Sequence, residues 1–414
     1  GDWSSDVCSS DLFIFIWFLI SPFSTNILYF LGKSISLESL VLHEDSIRIS
    51  LLAVPLAACS GVTIAYLHSV ERFVIAASST LVFNLVIIVC LLAIMFGNVE
   101  NVVGLISISV FVGALCKWIM QIFDSGHLPF SISSLQVNIN YSQFFSRYLI
   151  GLSCLGVISL FPIYLRTVVS GNGDGFLTLF NYAFKLIELP QGVILSVFSI
   201  VFFPLLSKYS EKKHSKLFNS YVSLVTLTIL ITSLSIAIPA IKYSETISYI
   251  AFGLIGDLQP EQLDIMSDYF GYMIIAIPLI GLSSFLIFVF AAKKNILLPF
   301  LISITSIIIS LFINEFLLIK HGLEVLSLLI CHFLITVCLL VFLRFKFKFN
   351  VIKDHKKDFL NLPIVAFFLG LTIYYFPVFQ NEYANLAAFS CFIFIHFLAF
   401  TTIITAPKKL LNAK

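Results

Sequence analysis

From Leu12 to Ala406 the chain is a succession of apolar runs, each long enough to cross a bilayer and separated from the next by a short polar or charged turn. About 20 apolar residues span the hydrocarbon layer as a helix. Twelve spans are expected on this basis: 12–31, 48–67, 74–96, 102–123, 146–169, 177–206, 220–241, 270–291, 296–319, 325–343, 361–377 and 384–406. Lipid offers no partner to a backbone N–H or C=O, so each span must satisfy its own and form a helix. The expected class is therefore an all-α polytopic membrane protein. Composition agrees: 59% of the 414 residues are hydrophobic and 11% charged, against about 45–50% and 25% in soluble domains.

The side on which Lys and Arg collect sets the orientation. Eighteen of the 24 fall in one set of turns and at the C-terminal end, five fall on the opposite side, and Lys185 lies within a span. The eighteen-charge side is expected to be cytoplasmic, with both ends of the chain on it. Cys59, Cys90, Cys116, Cys154, Cys331, Cys338 and Cys391 sit inside apolar runs. They show neither CxxC pairs nor a His spacing suited to metal, and read as small packing residues.

An internal repeat gives the domain plan. The stretch from Ala65 to Gly104 matches that from Phe288 to Ser327 in pattern: a charged turn, a long span, a short turn and another span. Extending the match pairs the first four spans with those at 220–343, in a parallel repeat. The later half then has two further helices in front, 146–169 and 177–206, and the earlier half has none. The expected domains are a four-span remnant of an N-lobe at 13–123, a six-span C-lobe at 146–343 and a C-terminal helix pair at 361–406. The opening "GDWSSDVCSSDLF" fits none of this. It is acidic and lacks the positive charge of a secretory signal. A common sequencing-library adaptor, translated, reads Asp2 to Asp11 and most of Leu12, so residues 1–12 are expected to be an artefact replacing the true start.

Few residues could carry chemistry. The longer loops, 124–145 and 242–269, hold no catalytic set. Asp257, Glu261, Asp264 and Asp268 read as a solvated helix face, and His332 and His396 as buried packing residues. An enzyme is not expected. The exceptional span is Leu177 to Leu206, with Lys185 and Glu188 three residues apart on one helical face. A mid-membrane charge costs about 2.5–3.5 kcal/mol on insertion scales and faces a cavity or an opposite charge. Two readings stand side by side. In one the pair neutralises itself and fixes helix packing; in the other Lys185 receives an anionic head group in a water-filled cavity, with Glu188 orienting it or exchanging protons. Pro190 and Gly192 follow, and a hinge is expected just after Glu188. Arg166, at the end of the preceding span, either snorkels to the head groups or lines the same cavity.

At this span the sequence resembles the MurJ (MviN) lipid II flippases of the multidrug/oligosaccharidyl-lipid/polysaccharide exporter superfamily. "NYAFKLIELPQGVILSVFSIVFFPLLSKYS", from Asn181 to Ser210, carries the likeness most specifically. "SVERFVIAASSTLVFNL" (Ser69 to Leu85) and "GLSSFLIFVFAAKKN" (Gly281 to Asn295) follow the family's order, and the resemblance runs from Phe13 to Thr405. It implies fourteen helices, in two six-helix lobes around a cationic cavity, and a final pair forming a groove for a lipid tail. The twelve spans here would then be the third to the fourteenth.

The resemblance also puts Lys185 at the family's essential arginine and Glu188 at its glutamate, with Asn181 and Arg166 beside them as substrate-binding residues. Two positions depart from the family pattern. Phe184 stands where an Asp commonly precedes the arginine. Arg166 falls near a position often held by Asp, which speaks against a sodium site built on that Asp and adds to the positive cavity. The implied function is flipping of an undecaprenyl-linked sugar precursor, lipid II of peptidoglycan synthesis first, from the cytoplasmic to the outer leaflet of the bacterial inner membrane. The expected protein is a monomer among membrane lipids, with no nucleic-acid partner, no cofactor and no metal. Coupling to an ion or to the membrane potential is open, and so is the ion. Export of an exopolysaccharide or O-antigen unit stays open beside lipid II, and so do a small-molecule antiporter and a membrane glycosyltransferase.

Overall fold

The computed structural model describes residues 37–69, 72–97, 99–125, 141–197, 215–254, 258–347 and 356–403, together with isolated positions between them. Side chains at 141–155 are not among those described, nor are those of a few residues elsewhere in the helices. Every regular element among the described residues is helical. The expected artefact at 1–12 and nearly all of the first span, 12–31, lie outside them.

The chain divides into two compact units, Gly1–Ser146 and Arg147–Lys414. The first unit contains α1 (Leu37–Leu42), α2 (Glu44–Leu51), α3 (Ala53–Ser69), α4 (Phe73–Phe96) and α5 (Val102–Ser125). Helix α5 is its centre and packs on α2, α3 and α4. The close approach of α4 and α5 depends on Gly113, where a Cβ would stand 3.0 Å from the Phe83 ring. Gln121 of α5, fully buried, donates through Nε2 to Ser79 Oγ of α4 at 2.7 Å. Arg72, at the start of α4, pairs with the Asp124 carboxylate at 3.4 Å and also donates to the Asp124 carbonyl.

The second unit begins in α6 (Tyr141–Ser170). It continues through α7 (Phe176–Val197), α8 (Ser215–Lys242) and the short α9 (Ser244–Ser248) to α10 (Pro260–Ile274) and α11 (Ile277–Ala292). Then come α12 (Leu297–Ile313), α13 (Ser327–Phe347), α14 (Lys356–Tyr375) and α15 (Glu382–Ile403). One apolar core joins α6, α7, α8, α10, α11 and α13 through residues such as Leu165, Phe180, Val225, Met273, Phe285 and Leu339. Helices α14 and α15 pack on α8. Thr246 Oγ1 donates to Glu382 Oε2 at 2.6 Å, and Asn385 exchanges hydrogen bonds with the Phe379 backbone, fixing the turn that joins the pair.

Helix α10 starts earlier than the apolar pattern indicates, at Pro260 rather than 270. Gln259 and Gln262 form a reciprocal capping box with Pro260 in the first helical turn. The acidic residues that lower the hydropathy there face outward: Glu261, Asp264 and Asp268 are exposed while Met266, Tyr269 and Phe270 are buried. Helices α10 and α11 meet at a bend of 43°. Pro278 explains it: the residue lacks an N–H, and its ring opposes the carbonyl of Ile274, the last residue of α10.

Six helices among the described residues are long and apolar enough to cross a membrane, or seven if the bent α10–α11 pair is one span. The six are Glu44–Ile64, Val74–Phe96, Val102–Asp124, Leu217–Lys242, Leu297–His321 and Glu324–Lys346. The expected count of twelve thus goes beyond what these criteria pick out.

Candidate functional site

The site is built on α6 and α7, two antiparallel helices joined by the turn Gly171–Gly175. Positive φ at Gly173 (132°) and Gly175 (87°) makes so short a reversal possible. The turn is then tied down. Asn172 Nδ2 donates to Glu324 Oε1 at 2.8 Å, and Tyr269 OH donates to the same oxygen at 3.5 Å. Glu324 is buried, so this one carboxylate holds the α6–α7 turn against α10 and the segment entering α13.

Below the turn, Arg166 of α6 lies opposite Asn181 of α7. The Arg166 Nε donates to Asn181 Oδ1 at 2.9 Å, and its guanidinium carbon sits 5.4 Å from the centre of the Phe184 ring, also on α7. The fork is thus held on one side by a neutral acceptor and on another by an aromatic face. Phe184 is itself stacked on Phe180, with ring centres 5.8 Å apart.

One turn further along α7, Lys185 Nζ donates to Glu188 Oε2, closing the ion pair that the spacing of three indicates. The Lys185 side chain is 66% exposed and that of Glu188 38%. Pro190 lies inside a helix that continues unbroken to Val197, and a Cβ built at Gly192 would meet nothing within 4 Å.

A cavity of about 430 Å³ opens between α6, α7, α11 and α13. Ile158, Pro162, Ile163, Ile280 and Leu328 make its walls apolar. Arg166, Glu188, Gln191, Ser284 and His332 supply polar groups, and Phe184 joins them under the Arg166 guanidinium. Of the residues singled out from sequence, Arg166 and Glu188 therefore line one cavity. Asn181 touches it through Arg166, and Lys185 stands outside its lining, beside Glu188.

Gln191, Ser284 and His332 were not expected there. Gln191 follows Glu188 by three residues and shares its helical face, a signal present in the sequence. His332 was expected to be a packing residue. It is indeed buried, with Nδ1 2.8 Å from Ser283 Oγ, but it also borders the cavity. Its arrival there depends on α13 packing against α11, which no local pattern reveals. Among the described residues no group of His, Cys, Asp or Glu could hold a metal ion.

The chemistry available is that of a mainly apolar cavity with a few polar groups. It holds an oriented cation, a carboxylate already paired with a lysine, and neutral hydrogen-bonding groups.

Three comparisons bear on this arrangement. The family described as "Lipid II flippase MurJ" matches residues 9–396. A solved structure of a lipid II flippase MurJ in an inward closed conformation superposes with a TM-score of 0.73 at 21% identity, covering 99% of this chain and 84% of that one. A MATE transporter of Vibrio cholerae, VcmN in a point-mutant form, gives a TM-score of 0.63 at 11% identity, covering 84% of this chain and 78% of that one. At such identities the two structures speak to the fold. No curated protein sequence matches the chain.

Proposed function

The chain belongs to the lipid II flippase MurJ family, and from that premise we propose that its cavity shelters the diphosphate–sugar head of a polyprenyl-linked precursor while the polyprenyl tail stays in lipid. A charged head group cannot cross hydrocarbon unaided, so the protein must offer a polar path through its interior. The observation that carries this reading is the Arg166 guanidinium, oriented by Asn181 at 2.9 Å and lining a cavity of about 430 Å³ whose walls are largely apolar.

Twelve spans in two parallel lobes, with both chain ends cytoplasmic, give this chamber its setting. Rocking of the lobes exposes it to one side of the membrane and then to the other. Helices α14 and α15 lie along the second lobe as a groove for the tail. Lys185, Glu188, Arg166 and Asn181 form the substrate-binding set, with Pro190 and Gly192 as the flexible point of α7. The protein acts as a transporter and not as an enzyme. Its substrate is lipid II of peptidoglycan synthesis, and a related exopolysaccharide unit is the second candidate because Lys replaces the family's arginine at position 185.

The test is transport of lipid II in proteoliposomes, read as its appearance in the outer leaflet, together with rescue of cells depleted of their own lipid II flippase. Transport and rescue, both lost in Arg166→Ala, are the expected result. Rescue of a polysaccharide exporter instead would assign the second substrate. Turnover of a sugar donor by the purified chain would replace the transporter with a glycosyltransferase.

A further inference from the structure

The two cations of this wall are held in opposite ways, and the difference assigns them different roles. Lys185 is closed onto the Glu188 carboxylate. Arg166 takes part in no ion pair among the described residues. Its Nε is bound to an uncharged amide oxygen and its face is covered by Phe184. Adding the charges of Arg166, Lys185 and Glu188 leaves one positive charge in surplus. That surplus resides on Arg166, because the other two cancel.

We propose that Arg166 is the residue by which this cavity grips a diphosphate, that Asn181 and Phe184 position it, and that Lys185 contributes only when its pair with Glu188 opens. The proposal rests on the flippase reading and refines it. A guanidinium offers a planar fork that matches two phosphate oxygens at once, whereas an ammonium acts as a point charge. With Nε spent on Asn181, the terminal amino groups are what Arg166 has left for the cavity it lines. Asn181 costs this fork no charge: an amide fixes its plane without neutralising it, and a carboxylate at the same place would do both. Phe184, also on α7, covers one face of the guanidinium. Because the fork is already oriented, little side-chain freedom remains to be lost on binding. Lys185 is the reverse case, since an incoming anion must first compete with Glu188.

The experiment measures binding of farnesyl diphosphate and farnesyl monophosphate to the chain in lipid nanodiscs, with melting temperature recorded for each variant. The expected loss of diphosphate affinity is about 10–100-fold for Arg166→Ala, the range for a hydrogen bond to a charged group. Arg166→Lys keeps the charge and loses the fork, so it should bind both probes but lose most of the preference for diphosphate. Asn181→Ala should erode the same preference partially, and combining it with Arg166→Lys should add little. Lys185→Ala should weaken binding less than Arg166→Ala. Should Arg166→Ala fail to fold, Arg166→Lys and Asn181→Ala decide through the ratio of the two affinities, which a merely structural role would leave unchanged. If Arg166→Ala or Arg166→Lys keeps the wild-type preference while Lys185→Ala abolishes binding, this assignment falls and the cavity reading stands. If the wild-type chain binds neither probe saturably, the cavity reading falls with it.

Discussion

The two units meet the same solvent with unequal interiors. In the first, 11% of the Val74–Phe96 span window is buried and 28% of Val102–Asp124. In the second, 56% of Leu217–Lys242 and 44% of Glu324–Lys346 are buried. Both apolar core clusters among the described residues belong to the second unit. Apolar side chains gain little from leaving lipid for protein, because lipid is equally apolar; tight packing and hydrogen bonds between helices must hold such a unit together. The second unit has both, in a core shared by helices α6, α7, α8 and α10 to α13 and in the Asn172–Glu324–Tyr269 network. Between the helices of the first, the ties include one close glycine contact, the Gln121–Ser79 bond, the Cys90 thiol on the Leu105 carbonyl and the Arg72–Asp124 pair.

This contrast can be broken or sharpened by substitution, read as thermal unfolding in nanodiscs. The largest effect is expected for Phe285→Ala, which empties a buried site in the second core and should cost about 3–5 kcal/mol. Leu85→Ala in the first unit, where the side chain is 61% exposed, should stay within about 0.5 kcal/mol. Equal effects would break the comparison. Glu324→Ala takes the carboxylate from the buried Tyr269 hydroxyl and frees the α6–α7 turn at Asn172, and should cost about 1–3 kcal/mol. Gln121→Ala removes the bond to Ser79 and should cost about 1 kcal/mol. That smaller loss would still sharpen the contrast, since it removes one of few specific ties in its unit. Gly192→Ala is small and of opposite sign: the site has room for a Cβ, and about 0.5–1 kcal/mol of stabilisation is expected from helix propensity. If α7 flexes at this point, transport in the same variant falls while stability rises; transport unchanged would remove Gly192 from the hinge.

What the sequence discloses divides along the range of the interactions. Helical class follows from the apolar runs, and the Lys185–Glu188 pair from a spacing of three. Both are consequences of local geometry. The start of α10 was readable from its capping box and Pro260, but hydropathy hides it because Glu261, Asp264 and Asp268 line the exposed face of the same helix. The Arg166–Asn181 contact lies at middle range, across a turn whose glycines announce a tight reversal, though not which residues will meet. His332, Ser284 and Glu324 belong to helices and turns more than a hundred residues beyond α6. Their convergence is decided by how α10, α11 and α13 pack, and periodicity along one segment carries no record of that.

The placement of the ion pair on a single helix has a consequence for how the protein is made. Helix α7 carries Lys185 and Glu188 within an otherwise largely apolar segment, so on leaving the ribosome that part of it is one lipid should resist. Two charges at mid-membrane cost about 2.5–3.5 kcal/mol each when bare. Lys185 and Glu188 need no other helix to meet: one turn of α7 suffices, so their neutralisation is available as soon as that turn forms. Arg166 has no such shelter within α6, and its partner emerges fifteen residues later. Delivery into the bilayer therefore favours α6 and α7 entering together, as a hairpin folded about Gly173 and Gly175, with the second helix completing what the first cannot satisfy alone.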